Sequence, residues 1–218
     1  MPDESGSAQA TGKAASRRPG RPPVTSRGAV ERAAITLMLR SGYADVSVDR
    51  IAAAAGIGRS TFFRYFASKP AVVWAAFDGA ISALRDALAA TSPDEPVLQA
   101  LSRAVVHSTR ASTLESTVWL ERFELLDTEP ALRAEAGVHW QEWSDVVAEF
   151  VALRRGERPA VVAGAVAGAV QATYLVTMRS WLPVPPGGRT RSDEELLDEL
   201  AANLTLVSGG LVELLDAG

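Results

Sequence analysis

The chain has 218 residues, no cysteine and a hydrophobic fraction of 47%, which exclude general disorder, disulfides and thiolate metal sites. Residues 1–69 hold 11 Lys and Arg against 5 Asp and Glu, whereas residues 70–218 hold 11 against 21, and the net charge is −4. A basic segment before an acidic one predicts that only the first approaches a polyanion; chance clustering of arginine is the plain alternative.

Residues 1–24 are predicted to form a disordered tail that ends in a basic arm. The first 16 residues are small and polar without a hydrophobic period, and no apolar segment of signal-peptide type is present, so a cytoplasmic protein is expected. Residues 17–23 cannot be helical, because three prolines and a glycine interrupt them. Arg17, Arg18 and Arg21 could follow a DNA minor groove, and a basic linker is an equal alternative.

Residues 25–69 predict three short helices with a tight turn before the third. Apolar residues recur at helical spacing over 27–41. Ser47 caps the second helix, and Gly56 supplies the turn before a third helix from Arg59 to Tyr65. This is the pattern of a helix-turn-helix, whose third helix enters the major groove of double-stranded DNA. The alternative is a short amphipathic hairpin with solvated arginines.

Each outward residue of the third helix has a predicted role at DNA. Arg59 could bind guanine with two hydrogen bonds, while Ser60 and Thr61 could reach a base edge or a phosphate. Tyr65 and Lys69 are better placed for phosphates, Lys69 because it begins the fourth helix. The full predicted contact set is Arg17, Arg18, Arg21, Arg27, Ser47, Arg59, Ser60, Thr61, Phe63, Arg64, Tyr65 and Lys69.

A long motif in this region resembles the TetR family of one-component regulators. It reads Val48-x-x-Ile51-Ala52-x-x-Ala55-Gly56-Ile57, then Thr61-Phe62-Phe63-x-Tyr65-Phe66-x-Ser68-Lys69. The resemblance implies an all-α fold, with a three-helix DNA-binding domain over 25–69 and a larger ligand-binding and dimerisation domain over 70–218. Two positions depart from the family: Phe63 replaces its usual tyrosine, and Gly58 replaces its usual Ser or Thr helix cap.

The run Thr61–Trp74, which continues into Phe77-Asp78, is similar to one branch of the family. That branch comprises the regulators found with mycofactocin redox-cofactor systems. The resemblance implies a long-chain acyl-CoA as the effector. Family precedent further implies a repressor that binds a palindromic operator as a homodimer and leaves DNA when it binds its ligand.

The helix starts of the body are marked by serine and proline. The sequences Ser92-Pro93-Asp94-Glu95, Ser112-Thr113-Leu114-Glu115 and Ser192-Asp193-Glu194-Glu195 all match the capping box S-x-x-E. Two further starts are indicated by Thr128-Glu129-Pro130 and Glu157-Arg158-Pro159. Together with the first four helices, these signals predict about nine helices.

An apolar effector pocket is predicted from the family resemblance together with aromatic side chains on the fourth to seventh helices. For any single residue, an ordinary place in the core is the more common explanation. The predicted lining is Trp74, Phe77, Ile81, Leu101, Val105, Trp119, Phe123, Trp140, Trp143 and Val147.

The last two helices are predicted to form a dimer interface. Residues 160–182 approach the length of a membrane span, but Gln171, Thr173, Thr177 and Arg179 interrupt them, so we expect no membrane insertion. Glycines four residues apart allow close helix approach, and a leucine stripe runs along the final helix. The predicted interface residues are Gly164, Gly168, Tyr174, Leu200, Leu204, Val207 and Leu211.

An enzyme is not expected. The chain has only two histidines, His107 and His139, and carries no HExxH, GxSxG, P-loop or dinucleotide motif. No cofactor or metal site is predicted. The remaining alternative to a DNA-binding regulator is a membrane-associated or scaffolding helical protein.

Overall fold

The computed structural model describes residues 26–155, 160–182 and 191–216, so Arg17, Arg18 and Arg21 of the predicted basic arm lie outside the described residues. All elements of the described residues are α-helices, which confirms the predicted all-α fold. In chain order they are α1 (Arg27–Ser41), α2 (Val48–Ala54), α3 (Arg59–Tyr65), α4 (Lys69–Ala89), α5 (Val97–Glu115), α6 (Trp119–Thr128), α7 (Pro130–Arg155), α8 (Ala160–Ser180) and α9 (Asp193–Asp216).

Serine hydroxyls begin three of the first four helices. Ser26, Ser47 and Ser68 each accept a hydrogen bond at 3.2 Å from the backbone N–H three residues on. Such a bond satisfies one of the amides that a helix start leaves without a partner. Gly58 occupies the same position before α3 and offers no side-chain bond, so the cap of this helix is the weakest of the four.

One of the three predicted capping boxes is confirmed. The Ser192 N–H donates to Glu195 Oε2 at 2.5 Å, and the Glu195 N–H donates to Ser192 Oγ at 3.2 Å. The starts at Ser92 and Ser112 are wrong: residues 92–95 form a turn before α5, and residues 112–115 are the last residues of α5. Because α5 begins at Val97, Ser92 is not its cap, and the carboxylate of Glu95 instead accepts from Arg103 Nε at 3.0 Å.

The hydrophobic residues form two cores, and the boundary between them does not coincide with the predicted domain boundary at residue 69. The first core lies among α4–α9, where α4 packs on α5 and α8 lies between α7 and α9. The second joins α1–α3 and the start of α4 to α6 and the beginning of α7. Its members include Val30, Ile51 and Phe62 from the first three helices and Leu125 and Leu132 from the body.

Helix α8 is apolar on more than one face. Within the described ranges it is the one helix that is long and apolar enough to cross a membrane by length and composition. Ala163, Val166, Ala167 and Val170 are buried against the body. Val161 and Val176 point outward and are 73% and 64% exposed, so the helix carries a second apolar face that the protomer does not cover.

Candidate functional site

The turn between α2 and α3 places α3 on the surface with one face anchored. Ile51 and Phe62 are fully buried. Gly56 has φ +66°, and its N–H donates to the Ala53 carbonyl at 3.1 Å, while the Ile57 N–H donates to Ala52 at 2.9 Å. Residues with a side chain rarely adopt this φ, so glycine is required at the corner. The predicted helix-turn-helix geometry is therefore present.

The outward face of α3 carries the predicted reading residues. Ser60, Phe63 and Arg64 are exposed, and Thr61 and Tyr65 are half-buried at the edges of the helix. Phe63 is 45% exposed and packs edge-to-face on Phe62 with ring centroids 5.4 Å apart. A short helix with this polar and aromatic surface has the shape that a major groove accepts.

Arg59 is paired within the protein. Its Nη1 donates to Asp49 Oδ1 at 2.9 Å and Oδ2 at 2.8 Å, and its guanidinium lies 5.3 Å from the centre of the Phe63 ring. The two side chains are 59% and 67% exposed. Arg59 can therefore make the predicted contact to guanine only after it leaves Asp49.

Lys69 is held by Tyr43. Its Nζ donates to the Tyr43 carbonyl at 2.8 Å and lies 4.0 Å from the ring centre. The ammonium has two further protons for a phosphate. Burial raises the pKa of the Tyr43 hydroxyl to about 12, and the carboxylates of Glu135 and Glu129 add to the effect, so this ring stays neutral beneath the ammonium.

The other predicted DNA contacts lie around α3. The guanidinium of Arg27 is 5.0 Å from the Phe66 ring centre, and that of Arg64 is 5.3 Å from the Tyr65 ring centre. The Ser47 hydroxyl accepts from the Arg50 N–H as a helix cap. Arg50, which was not predicted as a contact, is also exposed on α2, where it donates to the Asp45 carbonyl at 2.8 Å.

The aromatic side chains of the body form a continuous cluster. The Trp74 ring stacks on His139 with centroids 3.8 Å apart, and Phe77 meets Trp140 edge-on at 4.6 Å. Trp140 and Trp143 both approach Tyr174, each with centroids 5.9 Å apart. Tyr174, which was predicted at the dimer interface, therefore lies inside the body. Its hydroxyl bonds with Thr109, and burial raises the pKa of Tyr174 to about 12.

A small void lies at one end of this cluster, between α4, α5, α6 and α8. Its volume is about 40 Å³, and its lining includes three predicted pocket residues, Phe77, Trp119 and Phe123. Six other predicted pocket residues do not line the void and lie buried or packed in the hydrophobic cores; they are Ile81, Leu101, Val105, Trp140, Trp143 and Val147. Trp74 does not line it either; its Nε1 donates to Glu135 at 3.1 Å.

A larger groove runs along the surface between α5 and α9. Its volume is about 650 Å³, and no predicted pocket residue lines it. Its polar side chains include Arg103, which is paired with Glu95, and Arg110, which is paired with Glu194. Both arginines are therefore paired within the protein.

Comparison with known proteins settles the family. Residues 32–76 match the bacterial regulatory proteins of the tetR family, and residues 95–211, more than half of the chain, match the MftR C-terminal domain. The chain belongs to the TetR family. As a TetR-family protein it is a DNA-binding transcriptional regulator and not an enzyme.

Two relatives and one solved structure support this assignment. The regulator is 33% identical over 162 residues to the mycofactocin biosynthesis transcriptional regulator MftR of Mycobacterium tuberculosis. The aligned region covers 72% of this chain and 82% of that protein. It is 32% identical over 137 residues to the HTH-type transcriptional regulator TcmR of Streptomyces glaucescens, covering 60% and 61%. The fatty acid degradation regulator FadR from Bacillus halodurans shares the fold, with a TM-score of 0.58 at 15% identity over 84% of this chain and 97% of that one.

One buried ion pair connects the DNA-binding helices of the regulator to its body. Arg122 on α6 donates to the carboxylate of Glu31 on α1, and also to Ser116 Oγ at 3.0 Å. Burial lowers the pKa of Arg122 to about 10. Neither residue was predicted from the sequence, because two residues 91 positions apart leave no local sequence signal. The one available signal was a charged residue, Arg122, on an otherwise apolar face of α6.

The predicted dimer residues fall on two different sides of their helices. Gly164 and Gly168 are exposed on the outward face of α8. Leu200 and Leu204 are buried inside the protomer, and Val207 and Leu211 are half-buried. The leucine stripe of α9 packs on α5 and α8, which corrects its assignment to the subunit surface. Leu206 of α9 points outward instead and is 77% exposed.

Proposed function

We propose that this regulator is a cytoplasmic repressor that binds a palindromic operator as a homodimer and leaves it when a long-chain acyl-CoA binds the body. The observation that carries the proposal is the exposed apolar face of α8 and α9, formed by Val161, Gly164, Gly168, Val176 and Leu206. Surfaces of this kind on a helical protein mark an interface.

The spacing of these residues favours a helix–helix contact with a second copy. Val161, Gly164, Gly168 and Val176 recur at intervals of three, four and eight residues, which places them on one face of α8. Space around both glycines is open within the protomer. A partner helix can therefore approach the backbone closely, and two copies of α8 and α9 can form a four-helix bundle.

A two-fold dimer gives a reason for a palindromic operator. Each protomer presents one α3, and two-fold symmetry turns the second copy to read the same half-site on the opposite strand. The two helices then need a separation of about 34–36 Å, one turn of DNA. We assign base contacts to Arg59, Ser60 and Thr61, and phosphate contacts to Tyr65 and Lys69.

The effector is proposed from the body. The match of residues 95–211 to the MftR C-terminal domain supports the mycofactocin-system branch, and resemblance to that branch implies a long-chain acyl-CoA. The aromatic cluster provides an apolar lining for an acyl chain. Because its void holds only about 40 Å³, the chain must separate α4, α6 and α8, and this movement is what would alter the DNA-binding helices.

Three measurements on the purified full-length chain test the proposal. Sedimentation without detergent should give a soluble dimer, which a membrane protein would not do. Selection from random duplexes should recover a palindrome, with affinity that falls steeply as salt is raised. Titration of a long-chain acyl-CoA should then release that DNA. Binding without sequence preference would contradict the operator, and retention of DNA at saturating acyl-CoA would contradict the switch.

A further inference from the structure

Two residues that line the void in the body each carry a buried polar atom without a partner. Within the described part of the chain, three buried side-chain polar atoms lack a hydrogen-bond partner: Trp119 Nε1, Arg122 Nε and Glu121 Oε2. Trp119 and Arg122 both line the 40 Å³ void, and each residue is 5% exposed. A buried N–H without an acceptor is destabilising, so two of them on residues that line the same void call for an explanation.

Both orphan atoms are hydrogen-bond donors, which defines the chemistry that would satisfy them. An indole N–H cannot accept, and a guanidinium only donates. The matching group is therefore an acceptor, and a carboxylate or a thioester carbonyl provides one. Phe77 and Phe123 complete the lining and offer only apolar contact, as expected around an acyl chain.

A cleft leads from the surface to the same place. It has a volume of about 270 Å³ and lies between α1, α4 and the end of α5, with Glu31 and Ser116 in its wall. It shares Ala76 and Ser112 with the void. The Arg122–Glu31 ion pair, together with Ser116, therefore stands between the cleft and the void.

We propose that Trp119 and Arg122 bind the acceptor group of an acyl effector, and that this group, by accepting from Arg122 Nε, competes with Glu31 by drawing the guanidinium away from the bond that Nη2 donates to Glu31. The inference rests on the proposed function, since it locates the effector of that function. Glu31 lies on α1, next to Arg32, whose Nη1 donates to Thr117 Oγ1 at 2.9 Å. When the effector draws Arg122 away, α1 loses its buried link to α6, and the α1–α3 unit changes its position on the body.

The test uses full-length protein and three twelve-carbon probes: dodecanoate, dodecanoyl-CoA and dodecylammonium. The first two carry an acceptor and distinguish a free acid from a thioester, while dodecylammonium carries only donors. Trp119→Phe keeps an aromatic ring and removes the N–H. We expect it to weaken dodecanoate or dodecanoyl-CoA about tenfold, the effect of one hydrogen bond to a charged or strongly polar acceptor. Dodecylammonium should not release DNA from the wild-type protein.

Trp181→Phe is the matched control. Its indole Nε1 already donates to Glu199 at 3.1 Å, away from the void, so this variant should bind the acyl probes within twofold of wild type. Glu31→Gln tests the coupling separately from binding. It removes the competing charge, so the acyl probe should bind more tightly, while the fold-change that the probe produces in DNA affinity should shrink toward one.

The outcomes separate this inference from the proposed function. If no acyl probe changes DNA affinity in the wild type, the effector of the proposed function is wrong and the inference falls with it. If dodecanoyl-CoA releases DNA but folded Trp119→Phe and Trp181→Phe bind it equally well, only the assignment of the acceptor site is overturned. If Glu31→Gln releases DNA as the wild type does, competition for Arg122 is overturned.

Discussion

Replacing Asp49 by asparagine should tighten operator binding, because Asp49 holds the arginine that we assign to a base. The Arg59–Asp49 pair is largely exposed, at 59% and 67% of the two side chains. Pairs of this kind contribute up to about 1 kcal/mol. Arg59 must give up this free energy before it can bind guanine, so its removal should lower the dissociation constant up to about fivefold.

The assay is fluorescence anisotropy with the selected operator and with a scrambled duplex. Asp45→Asn is the control, because Asp45 is exposed on the same unit and its removal changes the net charge equally. It should improve operator and scrambled binding alike through reduced repulsion of phosphates. Asp49→Asn should improve the operator more than the scrambled duplex, and a urea titration should show that the fold has kept most of its stability.

A double-mutant cycle decides whether the gain passes through Arg59. In an Arg59→Ala background, Asp49→Asn should have no more effect than Asp45→Asn has in the wild type. If the operator-specific gain survived in the Arg59→Ala background, the carboxylate would be acting on DNA directly. This result would refute the view that Asp49 weakens operator binding by pairing with Arg59.

Three further predictions concern assembly and stability. Leu206→Lys should raise the dimer dissociation constant by about two to four orders of magnitude, since each of two leucines contributes about 1.5–3 kcal/mol when buried. Leu114 lies at the end of α5 and is 82% exposed, so Leu114→Lys should leave sedimentation unchanged. Gly56→Ala should lower the free energy of unfolding by about 1–2 kcal/mol because of its φ of +66°, whereas Gly137→Ala in the open interior of α7 should raise it by about 0.5–1 kcal/mol; urea titration checks both. Tyr43 has its pKa raised to about 12 in the folded state, so it keeps its proton where the unfolded chain loses it near pH 10. Unfolding free energy should therefore fall between about pH 10 and pH 12, and less so in Tyr43→Phe.

The DNA-binding unit was predictable because its signals are local. Ser47 acts on an amide three residues away, and Gly56 acts through its own φ. These signals depend on the backbone alone, so the sequence contains them in full. The state of Arg59 was not predictable in the same way, because Asp49 reaches it across the turn from the preceding helix.

The body was less predictable because each of its sequence patterns is compatible with more than one structure. The sequences that begin at Ser92 and Ser112 match a capping box. In the structure, however, Glu95 accepts a hydrogen bond from Arg103, and Ser112 lies inside α5. In α9 a leucine stripe shows that one face is covered, but not by which neighbour. The structure covers Leu200 and Leu204 within the protomer and leaves Leu206 outside, and periodicity alone cannot separate these two cases.

The second hydrophobic core gives the regulator a short path from effector to DNA. The predicted boundary between the DNA-binding domain and the body lies at residue 69, but Leu125 and Leu132 of the body pack in the same core as Ile51 and Phe62. A close-packed core does not absorb a displacement gradually, so movement of α6 must be accommodated by α1. Allosteric coupling typically amounts to about 1–3 kcal/mol, and exchange of one buried partner of Arg122 is on this scale. No long relay is needed, because the residue that would bind the effector already touches the DNA-binding unit.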